Sequence, residues 1–333
     1  MVTKSGILLV NTGTPDSVEL QDVKRYLTEF LLDPRVLDKP FWLRKLLVHA
    51  CIVPFRYKKS ARAYAKIWTD NGSPLLVNTH ALANKLQERL ATSVAVGMRY
   101  GNPSIEEGLE SLKSCQQIVI VPLFPQYASA TSGSIITDAM RILSSWQVIP
   151  ALTITGPFVE NEEYMQAWEE KTLGIDFASY DHILFSFHGL PLSQIQKGDR
   201  SGTCLKKGCC NERNAENYFC YSAQCKTFGN ELARRLGISH YTISFQSRLG
   251  MEKWLSPYTA EVVKDLRKRG AKRLLVFSPS FVSDCLETLY EIGIELREEF
   301  LVHGGQKLDL VPSLNSDDAW VDTLCNMIYN KVK

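Results

Sequence analysis

No apolar run in the 333-residue sequence is long enough to span a membrane as a helix. The opening MVTKSGILLVNTGTPD has only a short apolar run before turn residues, which predicts a strand rather than a signal peptide. A cytoplasmic chain is therefore expected, a setting in which stable disulfides are rare. Excess charge of one sign is also missing. Against 38 Lys and Arg stand 36 Asp and Glu, a net charge of +2, which excludes a protein that coats nucleic acid. No strand-like run leads into G-x-G-x-x-G, so a dinucleotide dehydrogenase is disfavoured. The paired C-x2-C of a zinc ribbon is absent too, as are low-complexity tracts and short repeats.

The chain does have a normal 45% hydrophobic content and room for two ordinary domains. Short apolar runs recur at 6–11, 94–100, 117–124 and 151–158, and again at 182–189, 241–247, 273–281 and 308–314. Helix-period segments separate them, such as 78–91, 104–115 and 258–270. Near-continuous apolar strands alternating with helices predict parallel sheets covered on both faces. Two such series predict two similar α/β domains, 1–155 and 156–314, with a terminal helix in 315–333.

In open α/β sheets ligands bind beyond the carboxyl ends of the strands, and three stretches fall there. In SFHGLP (186–191), His188 closes a strand where Gly189 and Pro191 turn the chain; imidazole is a base near pH 7 and a ligand for divalent iron. In SPSFVSDCLETLYEIGIELREEF (278–300), helical spacing places Asp284, Glu287, Glu291 and Glu295 on one face. Such a row is either a plain solvated face or, beginning at a strand end, a proton relay or cation path. PLFPQYASATSGS (122–134) offers small hydroxyl residues with Tyr127 and Gly133, suited to a flat ligand or to a loop entering a helix.

Two other stretches stand out. Residues 39–62 interleave Phe41, Trp42, Leu46 and Leu47 with Lys39, Arg44, Lys45, Arg56, Lys58, Lys59 and Arg62, and hold no acid. That pattern fits an anionic lipid surface, a greasy anionic ligand, or a helix with a basic wet side. Residues 204–225 hold five of the nine cysteines, Cys204, Cys209, Cys210, Cys220 and Cys225. Four thiolates from one compact segment suit a [2Fe–2S] cluster; structural zinc and a metal-free state remain open.

Taken together, GILLVNTGTP, GSPL, GMRYGNPS, PLFPQYASATSG, FSFHGLP, FQSRLGMEKWLSP and FSPSFVSDCLETLYEI resemble the ferrochelatases in order and over nearly the whole chain. The resemblance implies two Rossmann-like domains with four-stranded parallel sheets and a cleft between them. It implies insertion of Fe2+ into a porphyrin, with His188 as proton acceptor and Glu287 facing it. Glu287 and Glu291 would form the metal or proton path. Trp254 and Phe281 would line the pocket, Tyr127 and Ser129 its wall, and Arg56, Lys59 and Ser73 would meet the propionates. Segment 39–62 becomes the lip through which porphyrin enters from an anionic membrane surface. Some bacterial relatives carry a [2Fe–2S] cluster in an internal cysteine-rich segment. Here the expected ligands are Cys204, Cys220, Cys225 and one of Cys209 or Cys210. Many animal and fungal relatives have a histidine where this chain has Cys285. The VNTGTP opening points to protoporphyrin IX, with coproporphyrin III, sirohydrochlorin or a non-catalytic haem or metal sensor as the alternatives.

Overall fold

The computed structural model describes residues 4–206, 208–250 and 252–332. Among them the apolar runs form β1 (Ser5–Gly13), β2 (Ser93–Tyr100), β3 (Gln117–Pro122) and β4 (Ala151–Ile154). The second series forms β5 (His182–His188), β6 (Tyr241–Gln246), β7 (Arg273–Phe277) and β8 (Lys307–Leu310). They make two four-stranded sheets in the orders β2-β1-β3-β4 and β6-β5-β7-β8. Every pairing is parallel. Parallel neighbours need crossover connections, which the intervening helices supply. The two expected strand series are thus present, and both sheets share one order.

One compact unit contains the chain through Phe124, Ala128–Gly156 and everything from Asn315; the other contains Pro125–Tyr127 and Pro157–Leu314. In the first, Leu8, Val10, Ile118 and Ile120 of the sheet pack with Leu109, Ile135 and Ala139 of the covering helices. Helix Ile105–Ser111 opens on a capping box between Ser104 and Glu107, which satisfies two of its free N–H groups. It lies so close to the sheet that a Cβ on Gly108 would stand 2.6 Å from Leu8 Cδ1. The terminal helix Asp318–Val332 belongs to this unit: Lys85 Nζ reaches the Ser316 carbonyl (2.8 Å) and Asp318 (3.0 Å).

In the second unit, Leu184, Leu274 and Val276 pack against Val263, Ile292, Leu296 and Phe300. Each such fully buried aliphatic side chain contributes roughly 1.5–3 kcal/mol by leaving water. Ile292 and Leu296 lie on Leu286–Leu296, which is an eleven-residue π-helix rather than the expected α-helix. Runs of this kind are rare and concentrate at functional sites. Segment 39–62 also departs from a single helix: Phe41–Leu46, a π-helical turn Leu47–Ile52 and Val53–Ile67 follow one another. Val48 and Val53 of this stretch pack on Leu31.

Candidate functional site

The carboxyl ends of β5, β6 and β7 bring His188, Gln246 and Ser280 together. Register pairs His188 with Gln246, and the ladder continues as Gly189 N–H donates to the Gln246 carbonyl at 2.9 Å. Gly189 is required by this approach: a Cβ there would stand 2.9 Å from the Gln246 carbonyl and 3.2 Å from Trp254 Cε3. The His188 ring lies 6.4 Å from the Trp254 ring and 6.2 Å from Phe281.

His188 Nδ1 sits 2.6 Å from the Gly189 carbonyl. A carbonyl only accepts, so Nδ1 carries the proton and Nε2 keeps its lone pair. Burial lowers the imidazole below its ordinary value, while the nearby Glu287 charge and the Gly189 carbonyl pull the other way. The ring is therefore a neutral base at pH 7. Its backbone is held by two hydroxyls. Ser280 Oγ accepts the His188 N–H at 3.1 Å, and Tyr221 donates its hydroxyl to the His188 carbonyl at 2.8 Å.

The acidic row is set by its own supports. Ser186 donates to Gln246 Oε1 at 2.7 Å, which turns Gln246 Nε2 to donate to the Glu287 carbonyl at 2.9 Å. Ser247 Oγ donates to Glu291 at 2.5 Å, from a left-handed backbone with φ of +64°. Glu287 and Glu291 are half-buried and Glu295 is exposed. Asp284, expected in the row, lies before the π-helix and is buried; its carboxylate accepts from Thr288 Oγ1 and the Ser313 N–H, both at 3.1 Å. It anchors the start of the helix instead. Cys285 is buried, and burial followed by the Glu287 charge holds its thiol far above the ordinary value.

Tyr127 also belongs to this unit. Its N–H donates to Gln224 Oε1 at 2.8 Å, and its ring meets Phe219 edge-on at 5.1 Å. The remaining expected residues belong to the first unit. Ser129 Oγ accepts from Arg35 Nη1 at 2.8 Å. Ser73 is buried and accepts from Thr14 Oγ1 at 2.8 Å. Arg56 and Lys59 are exposed on helix Val53–Ile67. Nearby, Phe41 and Trp42 (68% exposed each), Leu46 and Phe55 (79%) face outward. Arg44 is buried, however, and donates to the Lys39 carbonyl at 2.8 Å, so it is not part of a basic wet side.

In the cysteine-rich stretch, Cys209 and Cys210 Sγ are 3.3 Å apart, and Cys210 and Cys220 Sγ 3.9 Å. Cys204 is near enough that Cys209 and Cys210, after burial, raise its thiol. The hydrogen bond with Cys210 lowers Cys220 to about 7. Cys225 differs. Helix Tyr221–Arg235 begins after Cys220, and five residues at 3.6 per turn carry it about 140° round the axis. It is fully buried, raised by that burial, and hydrogen-bonded to Tyr221. Cys204, Cys209, Cys210 and Cys220 thus interact with one another, whereas Cys225 is buried against Tyr221. Among the described residues no three His, Cys, Asp or Glu side chains already stand placed to hold a metal ion.

Sequence reasoning passed over Gln246, Ser247, Ser280, Tyr221 and Gln224. The first two lie inside the quoted FQSRLGMEKWLSP, and the strand-end rule could have found them. Tyr221 carried no signal of its own.

Two solved structures share the fold. SirB from Bacillus subtilis with Fe3+ has a TM-score of 0.53 at 13% identity, covering 98% of this chain and 95% of that one. The sirohydrochlorin chelatase SirB from Bacillus subtilis subspecies spizizenii in complex with cobalt has a TM-score of 0.54 at 11% identity, with the same coverage. In sequence the chain is 42% identical over 333 residues to a ferrochelatase of Legionella pneumophila (strain Corby), covering 99% of this chain and 100% of that one. It is 41% identical to a ferrochelatase of Coxiella burnetii (strain Dugway 5J108-111), covering 97% and 93%. The ferrochelatase family model matches residues 4–332. The chain belongs to the ferrochelatase family.

Proposed function

We propose that this chain is a lyase that inserts ferrous iron into protoporphyrin IX, giving protohaem. The observation that carries the reading is the Nδ1-protonated His188, whose free Nε2 lies within the field of the Glu287 carboxylate. Metallation must remove two pyrrole protons, which calls for a neutral base, and must deliver a cation that is then released. Half-buried carboxylates are weak oxygen donors suited to that hand-over, so Glu287 and Glu291 form the path. Trp254 and Phe281 offer aromatic faces beside His188 for a flat apolar macrocycle. By motif, Tyr127 and Ser129 form the wall, and Arg56 and Lys59 meet the propionates by charge pairing. Ser73 supports that reading less, since its hydroxyl already serves Thr14. The exposed Phe41, Trp42 and Phe55 beside Lys45, Arg56 and Lys58 suit peripheral contact with an anionic membrane surface, on its cytoplasmic side.

We also propose a resident [2Fe–2S] cluster. The donors fit by chemistry: four soft thiols within one short segment, one of them at about 7 and so half thiolate at neutral pH. Cys204, Cys209, Cys210 and Cys220 would hold it, and metal binding would draw them into place. Bound there, the group would supply stable thiolate cross-linking of the segment; substrate iron takes the separate path past Glu287.

The test mixes purified protein anaerobically with Fe2+ and either protoporphyrin IX or coproporphyrin III and follows the visible spectrum. Protoporphyrin metallation is expected, and in His188→Ala porphyrin binding persists while turnover is lost. Binding without turnover in the wild type would make the protein a sensor, and a preference for coproporphyrin would move it to that branch. Iron and sulfide assays on anaerobically purified protein decide the cluster.

A further inference from the structure

The residues on both sides of Cys220 reach the candidate site. Phe219 meets the Tyr127 ring edge-on at 5.1 Å. Tyr221 gives its only hydroxyl proton to the His188 carbonyl at 2.8 Å, so at the 3.0 Å contact with Ser280 Oγ it is the serine that donates. Ser280 in turn accepts the His188 N–H at 3.1 Å. Both backbone polar groups of His188 are therefore held by a hydroxyl pair, one member of which is the residue immediately after Cys220. Within the same helical turn, Gln224 accepts the Tyr127 N–H at 2.8 Å. On its other side, Cys220 Sγ lies 3.9 Å from Cys210, which lies 3.3 Å from Cys209.

We propose that Tyr221 is a positioning residue for His188, and that through it the occupancy of the thiol pocket sets the pose of the imidazole. A soft cation gathered by Cys209, Cys210 and Cys220 fixes the start of helix Tyr221–Arg235, and with it the hydroxyl that holds His188. The pocket is then not an accessory remote from the chemistry but a support of the base, one covalent step away. The inference rests on the reading of His188 as proton acceptor and of these cysteines as a metal site. Coupling of two sites through one ordered element is commonly worth about 5- to 150-fold, and misplacing a catalytic group by an ångström costs about 100-fold. Tyr221→Phe keeps the ring and removes only the hydroxyl. Its kcat is expected to fall by roughly 10- to 100-fold, with the porphyrin KM little changed.

The deciding experiment uses Cd2+ on the reduced full-length protein. Ultraviolet thiolate-to-cadmium absorption reports pocket filling, and the His188 ring resonances, assigned by their loss in His188→Ala, report the imidazole. In the wild type the resonances move in step with the absorption. In Tyr221→Phe the absorption appears and the resonances stay in place, and in the double variant Cys209→Ser/Cys210→Ser neither change occurs. Absorption without a moving resonance in the wild type overturns the coupling, as does a shift that persists in Tyr221→Phe. A shift in the double variant means cadmium on His188 itself and also overturns it. Failure of the absorption to appear removes the metal pocket. Loss of metallation in His188→Ala is measured separately, so a failed coupling and a failed site assignment are told apart.

Discussion

Ser247 allows a prediction in which two effects oppose. Its Oγ donates to the Glu291 carboxylate at 2.5 Å, but its backbone is left-handed at φ of +64°. For a residue with a Cβ that conformation costs about 1–2 kcal/mol. A hydrogen bond to a charged group contributes about 1.5–3 kcal/mol; both partners are half-buried, so the lower end, about 1.5 kcal/mol, applies. Ser247→Ala loses the bond and keeps the strain. At about 2–4 °C per kcal/mol for a unit of this size, Tm drops by about 3–6 °C. Ser247→Gly loses the same bond and relieves the strain, less about 0.5–1 kcal/mol for the added freedom of the unfolded chain. The Gly variant is thus expected to melt about 2 °C above the Ala variant. Scanning calorimetry on the three proteins measures the order. If Gly melts below Ala, the backbone at 247 does not carry this strain. In either variant, loss of the Ser247 bond to Glu291 should raise the KM for Fe2+ and leave that for porphyrin unchanged.

Three further outcomes follow from the same geometry. Because burial depresses His188 below about 6.5, the ring is neutral in both folded and unfolded chains above that pH. Its contribution to stability is present there and is lost as pH falls through the lowered folded value. The acid limb of kcat should accordingly lie below pH 6.5, and a limb above pH 7 would show that His188 is not the base. Gly189→Ala puts a Cβ against the Gln246 carbonyl and Trp254 and should cost about 1–3 kcal/mol, read from chemical denaturation; a neutral result would show that the strand ends can part. Phe41→Ala/Trp42→Ala should reduce sedimentation with anionic vesicles at physiological salt and leave turnover of detergent-dispersed porphyrin intact, whereas unchanged sedimentation would refute the proposed membrane contact through these side chains.

The fold was legible because a parallel strand buried on both faces must be apolar along its length, and eight such runs are hard to hide. His188 and Glu287 were singled out as candidates for a related reason, since chemistry-bearing residues accumulate beyond strand ends; Trp254 came only from the resemblance carried by FQSRLGMEKWLSP. The acidic row was read only in part. Spacing cannot tell an α-helix from a π-helix, and Asp284 was drawn out of the row by Thr288, four residues on, and by Ser313, 29 residues away, a contact that no local pattern announces. The supports of the site were the least visible part. Tyr221 and His188 are 33 residues apart in sequence and His188 and Ser280 are 92 apart, so each hydrogen bond exists only once the sheet has assembled.

The cysteines show the same limit from the other side. As a string, five thiols in one segment invite any four to be chosen as ligands. Folding separates them by helical phase, which turns Cys225 inward to the Tyr221 hydroxyl and leaves Cys220 at the mouth of the helix with Cys210. The two cysteines that bracket Tyr221 thus have opposite fates. One contributes to a thiol pocket, and the other helps to bury the tyrosine that holds His188. If the proposed metal and the proposed proton acceptor both hold, they are not independent features of the sequence. They would be joined by one peptide step from Cys220 to Tyr221 and by the Tyr221 hydrogen bond to the His188 carbonyl, so a change that loosens Tyr221 should be felt at both.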